Sequence, residues 1–271
     1  MFDRFNPYIK QALESPSEIY HEASKLRESD SVTARTVWSV NTSPAIKQII
    51  SRPAPLYQGF PSIKLPNQFT RVNRPLAEVM LSRRSARVFS GEPISISDLS
   101  ALLFYSAGVT KKEIDSYGIE WGLRCAPSGG ALYPVDVFCI SINVGDAEKG
   151  LYAYDPKEHC LKFLKQGLFT NQIADATYLT ETVKGAAVCI LMAINFPRTK
   201  FKYGERSYRF ALLEAGHIAQ NMLLVATSLG IGALPLGGYV DDQINALVGV
   251  DGYEQAVVYG ILIGQLQDKS H

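Results

Sequence analysis

Residues 202–239 decide the fold, and they read KYGERSYRFALLEAGHIAQNMLLVATSLGIGALPLGGY. From Tyr208 to Leu229 the side chains are apolar almost all round, which predicts one long helix buried on most of its faces. Gly230 and Gly232 follow, and glycine readily takes the left-handed backbone conformation that ends helices. The segment is therefore expected to be a helix at the centre of the domain.

Strands are predicted on both sides of this helix along the chain. Val135–Val144 alternates and is rich in β-branched and aromatic residues, a pattern typical of a strand. Two largely apolar runs, Ala186–Phe196 and Gln255–Gly264, have the length and composition of buried strands. Residues 151–167 are predicted to form a hairpin that turns at Asp155-Pro156, because both residue types favour turns.

Two helices are predicted ahead of the strands. The first starts at Leu76 and ends near the Arg-Arg-Ser turn at 83–85. The second begins after Ser97, whose hydroxyl is expected to cap it, and ends at Gly108. Helices and strands in this order predict an α+β domain built in layers.

Residues 1–70 differ from the rest of the chain. They contain short helical pieces such as Ser17–Arg27, followed by stretches rich in proline and serine. The continuous periodicity of an independent core is missing there. We therefore interpret residues 1–70 as an N-terminal extension that wraps on the main domain, residues 71–271, or contacts a partner.

Composition argues against several classes of function. The formal net charge is +1 over 271 residues, which gives no argument for binding nucleic acid. No signal peptide is visible, and the best uncharged apolar run, Gly185–Phe196, is too short to span a bilayer. The protein is therefore expected to be cytoplasmic and not to bind membranes.

No metal site is predicted. The chain has four widely separated cysteines: Cys125, Cys139, Cys160 and Cys189. Zinc sites and redox dithiols need closer pairs. Glu214, His217 and Asn221 share one helix face by their spacing, but one acid and one histidine on a buried helix are more often a polar cluster.

An arginine-rich turn is the first motif suited to ligand binding. It contains Arg83, Arg84, Ser85 and Arg87. Guanidinium groups offer planar, paired donors that match a phosphate. A solvated basic turn would have the same composition, so this motif alone leaves both interpretations open.

Two further motifs are rich in glycine. Pro127–Gly130 precedes a predicted strand, and adjacent glycines let the backbone approach a flat ligand closely. In Leu236–Gly238 the glycine N–H groups are free to face a ligand acceptor. Because the glycines at 230–238 follow a helix, they do not form a Rossmann dinucleotide site. Plain turns remain the alternative for both motifs.

The fourth motif is basic and aromatic, and it contains Lys202 and Tyr203. A lysine among arginines can have a lowered pKa, and a tyrosine beside it can donate or accept a proton. The alternative is a charged helix start on the surface.

Taken together, these ordered motifs resemble the nitroreductase superfamily. They are most similar to its SagB-type branch, the peptide azoline dehydrogenases of thiazole/oxazole-modified microcin pathways. The resemblance covers roughly residues 18–265. It implies an FMN-binding α+β fold with a central, mainly antiparallel sheet flanked by helices, and a homodimer.

The resemblance also implies roles for individual residues. Those expected to bind FMN are Arg83, Arg84, Ser85, Arg87, Pro127, Ser128, Gly129, Gln220, Asn221, Leu236, Gly237 and Gly238. Residues 127–129 would reach the flavin across the dimer interface, and the glycine amides at 237 and 238 would lie near its N5 atom. Lys202 and Tyr203 are the expected catalytic pair. Many relatives have a phosphate-binding arginine after the last strand, where this chain has Gly264–Gln267, and Lys269 is a weak candidate to replace it.

The implied activity is oxidation of thiazoline or oxazoline rings to thiazole or oxazole in a peptide or carrier-bound substrate. A proton would be abstracted from the ring and a hydride passed to flavin N5. A cyclodehydratase or heterocyclase complex is the implied partner. Two alternatives stay open: an NAD(P)H-dependent nitro or quinone reductase, and a flavin-free scaffold subunit of a heterocyclase complex.

Overall fold

A computed structural model describes residues 15–26, 31–51, 57–69 and 72–267. The predicted fold class is confirmed, because helices flank a seven-stranded sheet in which every strand pair is antiparallel. The strands are β1 Ser62–Lys64, β2 Val109–Ile114, β3 Glu120–Arg124, β4 Val135–Ser141, β5 Gly150–Asp155, β6 Cys160–Gln166, β7 Val188–Asn195, β8 Gly232–Leu236 and β9 Gln255–Gly264. Their order in the large sheet is β1-β6-β5-β4-β7-β9-β8, and β2 pairs with β3 alone.

The helices lie on both faces of the large sheet and in the N-terminal segment. They are α1 Pro16–Ala23, α2 Ser31–Thr42, α3 Pro44–Ser51, α4 Leu76–Ser82, α5 Ile96–Ala107, α6 Thr170–Thr177, α7 Thr180–Gly185, α8 Pro197–Tyr203, α9 Arg206–Leu229 and α10 Asp241–Val248. In the described part of the chain, no helix combines the length and the apolarity needed to cross a bilayer.

The core is divided into two layers by the sheet. Alternate residues of β4 and β7, such as Val137 and Met192, pack against α5 and α9 on one face. Their neighbours, such as Phe138 and Leu191, pack against α6, α7 and α10 on the other. Because these strands are buried on both faces, they appear in the sequence as nearly continuous apolar runs.

The long helix α9 is confirmed, with two corrections. It ends at Gly230, whose φ of 76° is the left-handed conformation of a helix end, but Gly232 begins β8 instead of ending the helix. The helix is also less buried than predicted, because Leu212 and Leu213 are 41% and 59% exposed. An apolar sequence does not show which face is covered by the same chain.

The predicted cap of α5 is wrong by two residues. Ser95, not Ser97, caps the helix: its hydroxyl oxygen accepts the N–H of Asp98 at 3.0 Å. Ile94 is fully buried and forms a parallel bridge with Val144. This contact holds the chain extended up to Ser95, so that the helix starts at the first serine.

The sequence patterns missed several elements, among them the strands β2, β3 and β8. The hairpin of β2 and β3 has mostly exposed or half-buried residues, and without one buried face it has no clear alternation. Strand β8 contains Pro235, a residue that argues against a central strand. Because β8 lies at the edge of the sheet, a missing N–H group is tolerated there.

The N-terminal segment is joined to the rest of the chain at several points. Strand β1 pairs with β6 at the edge of the large sheet. The guanidinium of Arg209 on α9 donates to the Ser24 hydroxyl at 2.8 Å and to the His21 carbonyl at 2.5 Å. The division into residues 1–70 and 71–271 stays a prediction.

Candidate active site

The arginine-rich turn follows α4 and is held by backbone contacts to two other elements. The N–H of Ala86 donates to the Ala233 carbonyl at the start of β8, at 3.0 Å. The Arg87 carbonyl accepts the Thr182 hydroxyl of α7 at 2.9 Å. These bonds place the turn beside the end of the sheet at which β8 begins.

One cleft, of about 290 Å³, brings this turn together with one glycine motif. It is lined by Arg87, Gly237 and Gly238, together with side chains of α6, α7 and β8. The N–H groups of both glycines have no acceptor in the described part of the chain, and both residues are exposed. The cleft therefore combines an exposed guanidinium with two free backbone donors, a donor set suited to an anionic, acceptor-rich ligand.

The other residues of the arginine turn lie outside the lining of this cleft. Arg84 donates to the carbonyl oxygens of Leu81 and Arg83 at 2.9 and 2.7 Å, so its guanidinium satisfies acceptors at the end of α4. Arg83 and Ser85 are half-buried. Leu236, next to the glycines, is buried and lines the cleft.

A second cleft, of about 200 Å³, contains the predicted lysine. Lys202 is 6% exposed and lines this cleft with Gly130 and Trp121. Gly130 has φ 65°, and a Cβ atom added there would lie 2.5 Å from the Tyr203 hydroxyl and 2.8 Å from Lys202 Nζ. Only glycine permits this approach, so the backbone of the Pro127–Gly130 motif lies directly against the Lys202–Tyr203 pair.

The surroundings of the pair change the protonation of both groups. Burial lowers the pKa of Lys202, and the positive charge of Lys47 lowers it further. Burial raises the pKa of Tyr203, and its ring packs edge-on against Phe210 with centroids 5.1 Å apart. At neutral pH the lysine therefore has a larger neutral fraction than an exposed lysine, and the tyrosine keeps its proton.

An ion pair anchors the helix that carries these two residues. The guanidinium of Arg198, near the start of α8, donates to both carboxylate oxygens of Asp136 at 2.8 and 3.1 Å. It also donates to the Tyr133 carbonyl at 2.9 Å. The basic segment thus fixes α8 to β4, which aims Lys202 at the Pro127–Gly130 loop.

The loop itself rests on a buried carboxyl group. Ser128 accepts the N–H of Tyr133 at 2.9 Å, and below it Glu214 of α9 is 2% exposed. Burial raises the pKa of Glu214 to about 7, although the Ser128 hydroxyl and Arg124 guanidinium nearby lower it. Neither carboxyl oxygen has a partner with normal hydrogen-bond geometry among the described residues.

The remaining predicted residues are not brought into either cleft. Pro127 and Gln220 are exposed, and Asn221 is half-buried. His217 is exposed whereas Glu214 is buried, so the two do not share one environment. Gln265, in the region after the last strand, accepts the N–H of Ser90. Lys269 lies outside the described residues.

Sequence reasoning missed residues that line both clefts. They are Thr177, Leu179, Thr182, Leu234 and Pro235 in the first, and Val40, Asn41, Lys47, Ile50, Trp121, Ala131 and Leu132 in the second. Thr182 and Asn41 belong to stretches without a recognisable motif, so no local signal identifies them. Lys47 and Trp121 are half-buried, and they differ from exposed lysines and tryptophans only through their neighbours in space.

The fold, an antiparallel sheet flanked by helices, is that of the nitroreductase-type oxidoreductases. The profile of the Nitroreductase family matches residues 80–265. The chain therefore belongs to the Nitroreductase family, which confirms the resemblance seen in the motifs.

Two relatives illustrate this membership. A protein of Methanocaldococcus jannaschii named as a nitroreductase is 32% identical over 178 residues, 66% of this chain and 86% of its own. The microcin B17-processing protein McbC of Escherichia coli is 31% identical over 154 residues, 54% of this chain and 55% of its own. The chain thus spans about half the length of that second relative.

A solved structure matches nearly the whole chain. The E. coli microcin synthetase McbBCD complex with truncated pro-MccB17 bound contains a chain with a TM-score of 0.56 and 20% identity. The match covers 98% of this chain and 99% of that one. The similarity therefore extends beyond residues 80–265 to the N-terminal segment, at the level of the fold.

Proposed function

We propose that the protein is an FMN-dependent dehydrogenase that oxidises thiazoline or oxazoline rings, in a peptide or carrier-bound substrate, to thiazole or oxazole. The observation that carries the proposal is the buried Lys202, which lies against Gly130 together with the half-buried Tyr203. A general reductase has no evident need for a buried base. The identity to a microcin-processing protein supports a peptide substrate.

The chemistry of the first cleft fits FMN. Arg87 would bind the phosphate. Arg83, Arg84 and Ser85 of the same turn would contribute only if their side chains turned toward the cleft, which for Arg84 means releasing the Leu81 and Arg83 carbonyl oxygens. The free N–H groups of Gly237 and Gly238 would donate to an acceptor on the ring system, where fixed dipoles stabilise developing negative charge. Bound FMN would supply the two-electron acceptor, because no protein side chain takes up a hydride.

The role proposed for Lys202 is that of a general base. Aromatisation of an azoline removes two hydrogens, one of them as a proton from the ring carbon beside the carbonyl group. A lysine whose pKa is lowered by burial is neutral more often and accepts that proton more readily. The Tyr203 hydroxyl, which keeps its proton, would orient the substrate or return a proton.

The proposed working unit is a homodimer. The two clefts of one chain contain complementary parts, guanidinium and backbone N–H donors in one and the proposed proton acceptor in the other. In a dimer, residues 127–129 of one copy would approach the flavin held by the other. A heterocyclase complex is the proposed larger assembly, which would supply the azoline substrate.

The first test asks whether the protein holds FMN and whether Lys202 is needed for oxidation. The purified protein is expected to be yellow, with FMN identified by absorbance and by mass spectrometry of the released chromophore. With an azoline peptide it is expected to form azole, detected as a loss of 2 Da. Lys202→Ala is expected to retain FMN but to lower the rate at least about 100-fold, within the range typical of general-base catalysis.

The matched control is Lys200→Ala on the same helix. Lys200 is exposed and pairs with Glu205 at 3.3 Å, so its loss should leave azole formation unchanged. Parental activity in Lys202→Ala would refute the base assignment. Rapid bleaching of the flavin by NADPH without azole formation would favour a nitro or quinone reductase. A colourless protein that co-purifies with a cyclodehydratase would indicate a flavin-free scaffold subunit of a heterocyclase complex.

A further inference from the structure

The second cleft is completed by helices of the N-terminal segment. Helix α2 supplies Val40 and Asn41, and α3 supplies Lys47 and Ile50. The Asn41 side-chain oxygen accepts a hydrogen bond from Lys202 Nζ at 2.9 Å. The two residues are 161 positions apart in the chain, so this contact exists only because α2 packs on α8.

We infer that Asn41 is a positioning residue, which holds the Lys202 amine beside Gly130 in the orientation needed to take a proton. The inference rests on the proposed function for the role of Lys202, but the contact itself does not. It assigns a part of the N-terminal segment to the active site. Residues 31–51 would then be required for the reaction as well as for packing.

The groups around Lys202 explain why a neutral acceptor suits this position. Lys47 faces it from α3, Trp121 from β3, Gly130 from the loop, and Tyr203 from its own helix. Lys47 is itself paired with Asp115 at 3.1 Å. No carboxylate forms an ion pair with Lys202 within the described ranges.

An amide oxygen can orient the amine without a negative charge. A carboxylate at the same place would favour the protonated lysine and oppose its action as a base. Asparagine and aspartate have nearly the same shape, so the two effects can be separated by one substitution. Asn41 is exposed, while the neighbouring Val40 is 4% exposed, so a change at 41 leaves the packing of α2 intact.

The experiment compares Asn41→Asp and Asn41→Ala with the parent protein. In Asn41→Asp the rate of azole formation is expected to rise with pH about one pH unit later than in the parent, because the carboxylate stabilises the charged lysine. In Asn41→Ala the amine loses its orientation. We expect kcat to fall between about 10- and 100-fold, the scale of a misplaced catalytic group, with KM unchanged.

A second readout does not depend on the substrate. Brief acetylation with acetic anhydride at a series of pH values, followed by peptide mass spectrometry, gives the titration of Lys202 directly. Asn171→Asp is the charge control, because Asn171 is exposed on α6, a helix on the opposite face of the sheet. It should leave both the labelling curve and the rate profile of the parent unchanged.

The two readouts separate failure of this inference from failure of the proposed function. If Asn41→Asp shifts the labelling curve but neither protein forms azole, the positioning contact stands and the proposed activity is wrong. If azole forms while the labelling curve and the rate profile of Asn41→Asp match those of the parent, the positioning role is overturned. Full kcat in Asn41→Ala would overturn it as well.

Discussion

At the scale of single residues, Glu214 combines an ionisable group with nearly complete burial. Its carboxyl group lies under Ser128 in the loop that contacts Lys202 and Tyr203. An ionised carboxylate is poorly solvated there, since its oxygens lack well-formed hydrogen bonds within the described residues. The neutral carboxyl is therefore favoured in the folded protein.

This burial predicts that Glu214→Gln stabilises the protein at alkaline pH. The folded pKa is raised from 4.5 to about 7, so the neutral form contributes stability that is present below pH 4.5 and lost as the pH rises through 7. At pH 8 the free energy of unfolding of Glu214→Gln is expected to exceed that of the parent by up to about 3 kcal/mol. Urea denaturation at pH 8 and pH 5 measures the difference.

The difference should be much smaller at pH 5, where most of the native carboxyl is already protonated. Glu158→Gln is the control, because Glu158 is exposed. This substitution should change the free energy of unfolding by no more than about 0.5 kcal/mol at either pH. Equal stability of parent and Glu214→Gln at pH 8 would show that the carboxylate is solvated or paired in solution.

At the scale of elements, a buried histidine joins the β5–β6 hairpin to two other parts of the fold. The Nε2 atom of His159 is 2.8 Å from the Ser100 hydroxyl of α5, and its Nδ1 atom is 2.9 Å from the Tyr154 hydroxyl of β5. Its backbone carbonyl accepts the N–H of Leu65 just after β1. The side chain thus fixes the edge of the sheet against α5.

This network predicts a loss of stability on mild acidification. Burial lowers the pKa of His159 below 6.5, so the neutral ring is favoured in the fold. Its contribution is present above the unfolded pKa and is lost as the pH falls toward the folded pKa. The stability of the parent relative to His159→Gln should therefore be greater at pH 8 than at pH 5, as measured by urea denaturation.

The exposed His21 offers a control for this measurement. His21→Gln should change the free energy of unfolding by no more than about 0.5 kcal/mol, because the side chain of His21 is exposed on α1. If the advantage of the parent over His159→Gln is the same at both pH values, the ring binds protons equally in the folded and unfolded states, and burial does not lower the pKa of His159.

At the scale of the whole molecule, α9 is buried on one side and carries two adjacent exposed leucines on the other. Ile218 and Met222 lie in the core at 1% and 0% exposure, whereas Leu212 and Leu213 face outward. Exposed leucines side by side on a central helix are typical of a surface covered by another protein. The proposed second copy of the chain would cover this face.

Leu213→Arg is therefore expected to convert dimers to monomers and to lower the FMN content, because each flavin site would need both copies. A charge buried at an interface without a partner is strongly unfavourable. Analytical ultracentrifugation measures the mass and absorbance measures the bound flavin. Leu168→Arg is the control, since Leu168 is 68% exposed before α6. A Leu213→Arg protein that remains dimeric would place the interface elsewhere.

Local patterns were enough for the fold class, the main strands, the long helix and the four motifs. Apolar periodicity and glycine placement depend on backbone geometry over a few residues, so a strand over Val135–Val144 and a helix over Tyr208–Leu229 could be predicted from the chain alone. The structure ends the strand at Ser141 and begins the helix at Arg206. The same reasoning failed at the cap of α5, because the burial of Ile94 against Val144 decides between two nearby serines.

Only the tertiary structure decided which motifs meet. Arg87 joins Gly237 and Gly238 in one cleft, while Gly130 joins Lys202 in another, and the binding and catalytic roles of these residues stay predictions. Asn41 reaches Lys202 because α2 packs on α8, and Glu214 is desolvated because the sheet and the loop cover it. Such contacts depend on the packing of distant segments, and no pattern within a few residues encodes that packing.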